Sequence, residues 1–268
     1  MTYRKRLSLI CEDRGALCVG IDPHPNLLDA WGLPRDVNGL ERCARTVVEA
    51  VGAQAAVFKP QSAFFERYGS AGIAVLERVI DDIRQVGALS LLDVKRGDIG
   101  STMAAYAEAY LAQDAPLSVD AITVSPYLGF GSLMPAFELA VANKRGVYVL
   151  ARTSNPEGAS VQLALANEGS VCQEIIDAAK ELNQSARTRA IGLVIGGTHR
   201  HLGCDVSEFN GSILVPGIGF QGGSMGELPK IFGDAVEHVL PVVGRGILSA
   251  GPNPESLQRR VSDFLTRT

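Results

Sequence analysis

The chain has 268 residues, of which 46% are hydrophobic and 20% are charged, and its formal net charge is −4. This length suits one large globular domain or two small ones, and we expect a single domain over residues 1–268. Because the 25 basic and 29 acidic residues form no long run of either sign, and no apolar stretch reaches membrane-spanning length, we expect neither nucleic acid nor a membrane as a partner.

Short apolar runs alternate with segments of helical periodicity along the chain. The runs predict buried strands at Leu17–Ile21, Ala55–Phe58, Leu89–Val94, Ala121–Val124, Val147–Leu150, Ile191–Ile195, Ser212–Val215 and Val239–Val243. Three- and four-residue apolar spacing predicts helices at Leu40–Val51, Gly72–Val86, Thr102–Gln113, Leu133–Ala142 and Ser170–Ser185. Strands that alternate with helices indicate parallel pairing. Eight such units in roughly 250 residues favour an α/β fold of the (β/α)8 TIM barrel type over a doubly wound open sheet, which gives a similar pattern.

Polar residues or glycines follow each predicted strand. In chain order they are Asp22, Lys59, Asp93 with Lys95, Ser125, Arg152, Gly196–Gly197, Pro216–Gly217 and Gly244–Arg245. The carboxyl ends of barrel strands form one face, where barrel enzymes keep their active sites. We therefore expect Asp22, Lys59 and Asp93 to lie side by side on that face.

The third strand ends in a dense group of charges. Asp93 and Lys95 share one face of the strand because side chains alternate, and Asp98 follows just past its end, within expected reach of both. With Lys59 they form a row of alternating sign, which keeps each group ionised in a partly dry site. The row indicates catalysis. The alternative is a structural salt-bridge network in which Asp98 caps the helix that begins near Ser101 or Thr102.

Two glycine-rich loops follow the seventh and eighth strands. The segment 216–223 reads Pro-Gly-Ile-Gly-Phe-Gln-Gly-Gly, and 244–247 reads Gly-Arg-Gly-Ile. Glycines let backbone N–H groups turn toward an anion, and Arg245 can donate a planar fork to phosphate oxygens. Because loops at these positions often hold phosphate in barrels, the pair predicts a phosphate site. Glycines that serve only tight turns are the alternative.

Other polar residues carry weaker signals. Asp22 can accept from a sugar hydroxyl or form a turn before proline, and Ser125 and Thr153–Pro156 can bind a polar ring or form ordinary turns. His199 and His201 have no carboxylate or cysteine at ligand spacing. We expect no metal.

The cysteines bear on the compartment. There are five, an odd number without a C-x-x-C pair, namely Cys11, Cys18, Cys43, Cys172 and Cys204. This argues against a disulfide framework and a structural zinc site. The basic start of the chain is followed by an apolar stretch too short for a signal peptide. We expect a cytoplasmic protein.

The charged motif and the two loops together resemble the orotidine 5'-phosphate decarboxylase family over residues 20–250. The resemblance is carried by Asp93-x-Lys95-x-x-Asp98-Ile99 with Thr102, by Lys59 before a proline, by Asp22, and by the loops at 216–223 and 244–247. Phe58-Lys59-Pro60-Gln61 and Thr153-Ser154-Asn155-Pro156 are similar to the longer bacterial subgroup. Many members have Pro-Asn in place of Gly100-Ser101, a departure that affects the shape of the loop and leaves the charged positions intact.

The resemblance implies a decarboxylase that converts orotidine 5'-phosphate to UMP in de novo pyrimidine synthesis, without cofactor or metal. By matching position, Lys95 would protonate C6 and Asp93 would lie near the departing carboxylate. Lys59 and Asp22 would contact ribose hydroxyls. In the family Asp98 reaches across a dimer interface into the partner's site.

The remaining roles that the resemblance implies concern the dimer interface and the phosphate and pyrimidine of the substrate. Thr102 would accompany Asp98 into the partner's site, so the resemblance implies a homodimer. Gln221 and Arg245 would hold the phosphate together with backbone amides around Gly222 and Gly244. The side chain of Ser125 would contact the pyrimidine.

Two other functions remain open. A sugar-phosphate lyase or decarboxylase on the same barrel can use an Asp-x-Lys-x-x-Asp motif with a divalent metal. A catalytically silent barrel that binds nucleotides as a sensor would keep the phosphate loops without turnover.

Overall fold

The computed structural model describes residues 1–166 and 169–266. Within them, eight parallel strands close into a barrel in sequence order, and β1 pairs with β8 to complete the ring. The strands are β1 Cys18–Ile21, β2 Val57–Pro60, β3 Leu89–Arg96, β4 Ala121–Val124, β5 Gly146–Arg152, β6 Ile191–Ile195, β7 Ile213–Val215 and β8 Val239–Val243. The predicted (β/α)8 barrel is confirmed, and the closed ring excludes the open sheet.

Helices surround the barrel. They are α1 Tyr3–Arg14, α2 Pro25–Ala30, α3 Val37–Val51, α4 Ser62–Glu66, α5 Gly69–Gln85, α6 Gly100–Leu111, α7 Met134–Ala142, α8 Ala159–Gln162, α9 Val171–Ser185, α10 Leu228–Phe232, α11 Arg245–Leu248 and α12 Pro254–Leu265. Helix ends follow local capping chemistry: Asp36 accepts from the N–H groups of Asn38 and Gly39, both at 2.9 Å. Across residues 1–166 and 169–266, no helix is both long and apolar enough to cross a membrane.

Three strands run further than predicted. β2 continues through Lys59 and Pro60, β3 continues through Lys95 and Arg96, and β5 continues through Ala151 and Arg152. Lys59 is buried although it is charged. The predicted strands ended earlier because charged residues usually mark a strand's exit from the core.

The core has two parts. One fills the space between the barrel wall and the helices, and the other fills the barrel interior toward the amino-terminal ends of the strands. Helix α1 closes that end, where the hydroxyls of Tyr3 and Tyr148 are 3.0 Å apart. Near the opposite face, the indole N–H of Trp31 donates to the carbonyl of Leu248 in α11 at 3.0 Å. These hydrogen bonds join α1 to strand β5 and the residue after α2 to α11.

Candidate active site

A cavity of about 640 Å³ opens at the carboxyl ends of the strands. Charged residues from β1 to β3 line one side of it. Glycines and Arg245 from the loops after β7 and β8 line another side. Pockets of this size hold small-molecule ligands.

The charged side is a connected row. The Lys59 ammonium lies 2.9 Å from Asp93 Oδ2 and 4.0 Å from Asp22 Oδ1. Lys95 Nζ lies 2.6 Å from Asp93 Oδ1. The strand order β1, β2, β3 brings these side chains together, with Gly20 opposite Lys59 and Gln61 opposite Asp93. Asp93 thus sits between two ammonium groups.

Charge pairing overcomes burial in this row. Burial alone would raise the pKa of the Asp93 carboxyl, but the charges of Lys59 and Lys95 and their hydrogen bonds hold it well below its usual value. Burial alone would lower the pKa of Lys59, but Asp93 and Asp22 raise it above its usual value. Both groups are therefore ionised at neutral pH.

Lys95 differs from Lys59 in exposure. The Lys95 side chain is 46% exposed, against 6% for Lys59. Its backbone is also unusual, with φ at +47°, a left-handed conformation that residues other than glycine rarely adopt. The Lys95 ammonium thus contacts the Asp93 carboxylate and also faces the open cavity.

The loops across the cavity are shaped by glycine. Gly217 and Gly219 have φ of +99° and +81°, where glycine avoids the strain of a side chain. At Gly244 a Cβ atom would lie 2.3 Å from Asp22 Oδ2, so only glycine allows this close approach. The Arg245 guanidinium stacks 3.9 Å from the centre of the Phe220 ring.

The structure separates the residues proposed from the sequence into two groups. Lys95, Asp93, Lys59, Asp22, Gln221, Gly244 and Arg245 line the cavity. Gly222 is exposed on the loop beside Gln221, with φ of +97°, and it is outside the set of described residues that line the cavity.

Asp98, Thr102 and Ser125 are also outside the cavity lining among the described residues. The expected reach of Asp98 to Asp93 and Lys95 within one chain is wrong for this structure, where its carboxylate accepts from the N–H of Ile99 at 2.8 Å. β3 continues to Arg96, so Asp98 lies in the short segment between the strand and α6, where its carboxylate is used by the neighbouring backbone N–H. The helix-capping alternative for Asp98 also fails, because Ile99 occupies the cap position of α6.

Sequence reasoning missed several residues of the site. The Thr123 hydroxyl donates to Asp93 Oδ1 at 2.8 Å, and Gln61 accepts from Lys59 Nζ at 3.2 Å. Ser154, which the sequence offered only as part of Thr153–Pro156, lines the cavity whereas Ser125 does not, and its Oγ lies 3.3 Å from Gln221 Oε1. The paired serines after β4 and β5 were the available signal, but the sequence did not reveal which faces inward.

Within the described ranges no cluster of three or more histidine, cysteine or acidic residues is arranged to hold a metal ion. His199 instead lies 2.9 Å from the carbonyl of Thr153 through Nε2.

Fold and site define a class of protein, a (β/α)8 barrel in which a row of alternating charges and two glycine-rich loops line one cavity. The chain matches the model of the Orotidine 5'-phosphate decarboxylase / HUMPS family over residues 15–260. It therefore belongs to that family.

Individual relatives cover almost the whole chain. A protein from Salinispora tropica named orotidine 5'-phosphate decarboxylase is 55% identical over 259 residues, covering 96% of this chain and 93% of its own length. The protein of that name from Streptomyces coelicolor is 51% identical over 264 residues, covering 98% and 95%.

Solved structures agree. A Streptomyces avermitilis structure assigned to the same decarboxylase has a TM-score of 0.93 and 51% identity, covering 99% of this chain and 94% of that one. The Leishmania donovani OMP decarboxylase has a TM-score of 0.78 and 26% identity, covering 99% of each chain.

Proposed function

We propose that this chain decarboxylates orotidine 5'-phosphate to UMP in pyrimidine biosynthesis, without metal or cofactor, and that Lys95 delivers the proton to C6. The observation that carries the proposal is a single cavity that joins the Lys59–Asp93–Lys95 row to Arg245 and the glycine loops. Relatives that are 51–55% identical over nearly their full length carry the name of this enzyme.

The charged row suits the chemical step. When the bond between C6 and the carboxyl group breaks, carbon dioxide leaves and the electron pair stays on C6. A fixed ammonium group beside that carbon stabilises the developing negative charge. A proton then moves from Lys95 Nζ to C6, and water restores the proton to Lys95. Asp93 holds the Lys95 ammonium in place before the reaction.

The phosphate end supplies positioning. Arg245 and the backbone of loop 216–223 would bind the phosphate, which does not react. Binding energy from such a remote group can hold the ring against Lys95 and raise the rate of the chemical step. We assign the ring contact to Ser154, since it lines the cavity beside Gln221 and Ser125 does not. Asp22 and Lys59 lie between these ends and would bind the ribose hydroxyls.

We further propose a cytoplasmic homodimer of single-domain chains in which Asp98 and Thr102 complete the partner's cavity. Two exposed apolar side chains on neighbouring loops support an interface here: Ile99 is 62% exposed and Tyr127 is 81% exposed. The cysteines are unpaired in the described structure, as suits a reducing compartment.

Subunit mixing tests the shared site. Lys95→Ala and Asp98→Asn homodimers should each be inactive, whereas a mixed dimer contains one site with both changes and one site with neither. Mixing after partial unfolding should therefore restore activity. Mixtures that stay as inactive as their components would show that Asp98 serves its own chain.

The first experiment is an ultraviolet absorbance assay with orotidine 5'-phosphate in EDTA. The wild type should convert it to UMP, and Lys95→Ala should lose turnover but keep its affinity for UMP. Lys144→Ala is a matched control, because Lys144 is also left-handed, with φ of +59°, and follows α7 at the amino-terminal end of the barrel. Loss of activity in EDTA would indicate a metal-dependent reaction, and no turnover under any condition would indicate a silent nucleotide-binding barrel.

A further inference from the structure

The ladder between β3 and β4 is irregular at the reactive lysine. Leu92 pairs with Ile122, but the next pair is Arg96 with Val124. Three residues of β3, from Asp93 to Lys95, thus lie opposite one residue of β4, Thr123. Bulges of this kind occur next to active sites, where they redirect a side chain.

The bulge leaves Lys95 in an unfavourable backbone conformation. Its φ of +47° brings Cβ close to neighbouring backbone atoms. Such conformations persist only when the surrounding structure holds them. A regular ladder does not do so here, because the register shifts across this segment.

The Thr123 side chain makes the contacts that the ladder lacks. Its Oγ1 accepts from the backbone N–H of Lys95 at 3.0 Å and donates to Asp93 Oδ1 at 2.8 Å. The same carboxylate oxygen accepts from Lys95 Nζ at 2.6 Å. Because the N–H can only donate and the carboxylate can only accept, the direction of both Thr123 hydrogen bonds is fixed.

Packing alone does not explain this hydroxyl. Thr123 is 1% exposed, and the neighbours Ile122 and Val124 in β4 are buried and apolar. Valine has the same shape as threonine and avoids the cost of burying a hydroxyl. The polar side chain therefore has a role that its apolar replacement would not fill.

We infer that Thr123 is a positioning residue that holds the left-handed backbone of Lys95 and the carboxylate of Asp93 in one fixed unit. The inference rests on the proposed decarboxylation. Lys95 Nζ is anchored through Asp93, and the Lys95 main chain is anchored through its N–H. With both ends of the lysine attached to one hydroxyl and one carboxylate, its ammonium has a defined position in the cavity before the substrate binds.

Two substitutions separate the hydroxyl from the methyl group. Thr123→Val removes the hydroxyl and keeps the shape, and we expect kcat to fall by about 10- to 100-fold, because small displacements of a reacting group can cost up to about 100-fold. KM and the affinity for UMP should change by less than about threefold, since the phosphate contacts are untouched. Thr123→Ser keeps the hydroxyl and should retain most of the wild-type kcat.

A pH profile and a packing control test whether a general loss of stability explains the fall in kcat of Thr123→Val. In Thr123→Val the Asp93 carboxylate loses a hydrogen-bond donor, so the acid limb of kcat against pH should move to higher pH. Ile122→Val weakens packing in the same strand and should leave kcat and the acid limb unchanged. Thr123→Val with wild-type kcat and an unmoved acid limb would overturn the inference, as would an equal loss of kcat in Thr123→Ser.

A structural measurement keeps the inference separate from the proposed reaction. Hydrogen exchange of the Lys95 amide, followed by NMR, should be faster in Thr123→Val than in wild type and Thr123→Ser. If the wild type fails to convert orotidine 5'-phosphate, the proposed function fails. The exchange rate of the Lys95 amide still tests whether Thr123 holds the Lys95 backbone. Equal exchange in all three proteins would overturn it.

Discussion

At each end of the barrel an aspartate contacts two positively charged side chains. The two ends differ in whether those side chains are bound to further protein groups or face a cavity. At the carboxyl end Asp93 contacts Lys59 and Lys95. At the amino end Asp120 contacts Arg6 and Arg145, the latter at 3.1 Å. It also accepts from the backbone N–H of Ser90 at 3.0 Å.

The arginines at the amino end are fixed on several sides. Arg6 also donates to the carbonyl of Lys144 at 2.9 Å, and Arg145 donates to Ser118 Oγ at 3.1 Å. The planar guanidinium fork suits such multiple attachment, whereas a lysine ammonium is a compact charge. Lys95 extends its ammonium from Asp93 into a cavity. Similar charge pairing thus joins loops at one end and can serve a reaction at the other.

Asp93→Asn should have the largest effect on activity. It removes the charge that holds Lys95 and Lys59, and we expect turnover to fall by about 10²- to 10³-fold, the scale typical of losing one preorganised electrostatic group. Asp120→Asn should change kcat by less than about threefold. Steady-state assays measure kcat for both variants, at a temperature where circular dichroism shows both to be folded. Equal losses of kcat in the two variants would contradict the difference between the two ends of the barrel.

Arg245→Ala should weaken binding more than catalysis. A charge-assisted hydrogen bond is worth about 1.5–3 kcal/mol, so KM for the phosphorylated substrate should rise by roughly 10- to 100-fold. Arg145→Ala provides the matched arginine at the other end, and its KM should stay close to that of the wild type. An unchanged KM in Arg245→Ala would place the phosphate elsewhere.

The free energy of unfolding should depend on the charged group at the amino end of the barrel, in contrast to activity. Asp120→Asn weakens contacts to Arg6, Arg145 and Ser90, and we expect the free energy of unfolding to fall by about 1–3 kcal/mol. Urea denaturation measures this loss. Asp29→Asn, which breaks an exposed pair with Arg35, is the control and should be close to wild type. An Asp120→Asn protein as stable as this control would contradict a structural role for the amino end.

Acid should produce the smallest of these effects. The pKa of Asp93 is lower in the folded protein than the ordinary value near 4. Its ionised form therefore contributes stability above about pH 4, and this contribution is lost as the pH falls through the lowered folded value. In Asp93→Asn the free energy of unfolding should depend less steeply on pH below about 4. Parallel curves for variant and wild type in urea titrations would refute this.

Much of the fold could be predicted because buried parallel strands are continuous apolar runs. The runs from Ala121 to Val124 and from Val239 to Val243 match strands β4 and β8 residue for residue. The prediction for β2 ended at Phe58, one residue before buried Lys59. A charge within a strand is stabilised by partners on neighbouring strands, which a local apolar pattern does not report.

The charged part of the site was also visible, since Asp22, Lys59, Asp93 and Lys95 interrupt apolar runs. Thr123 was not, because a β-branched residue in an apolar strand is ordinary. The bulge opposite it depends on pairing between strands and leaves no local sequence signal. Ser125 and Ser154 both follow strands, and only the turn of the chain after each strand determines which one faces the cavity.

The chain's single tryptophan has a practical consequence. Trp31 is nearly buried, and its indole N–H donates to Leu248, the last residue of the helix that begins at Arg245. An anion that binds Arg245 would contact the same short helix that accepts the hydrogen bond from the Trp31 indole. If the loops bind phosphate as proposed, the intrinsic fluorescence should change when inorganic phosphate is added, with no attached dye and no turnover.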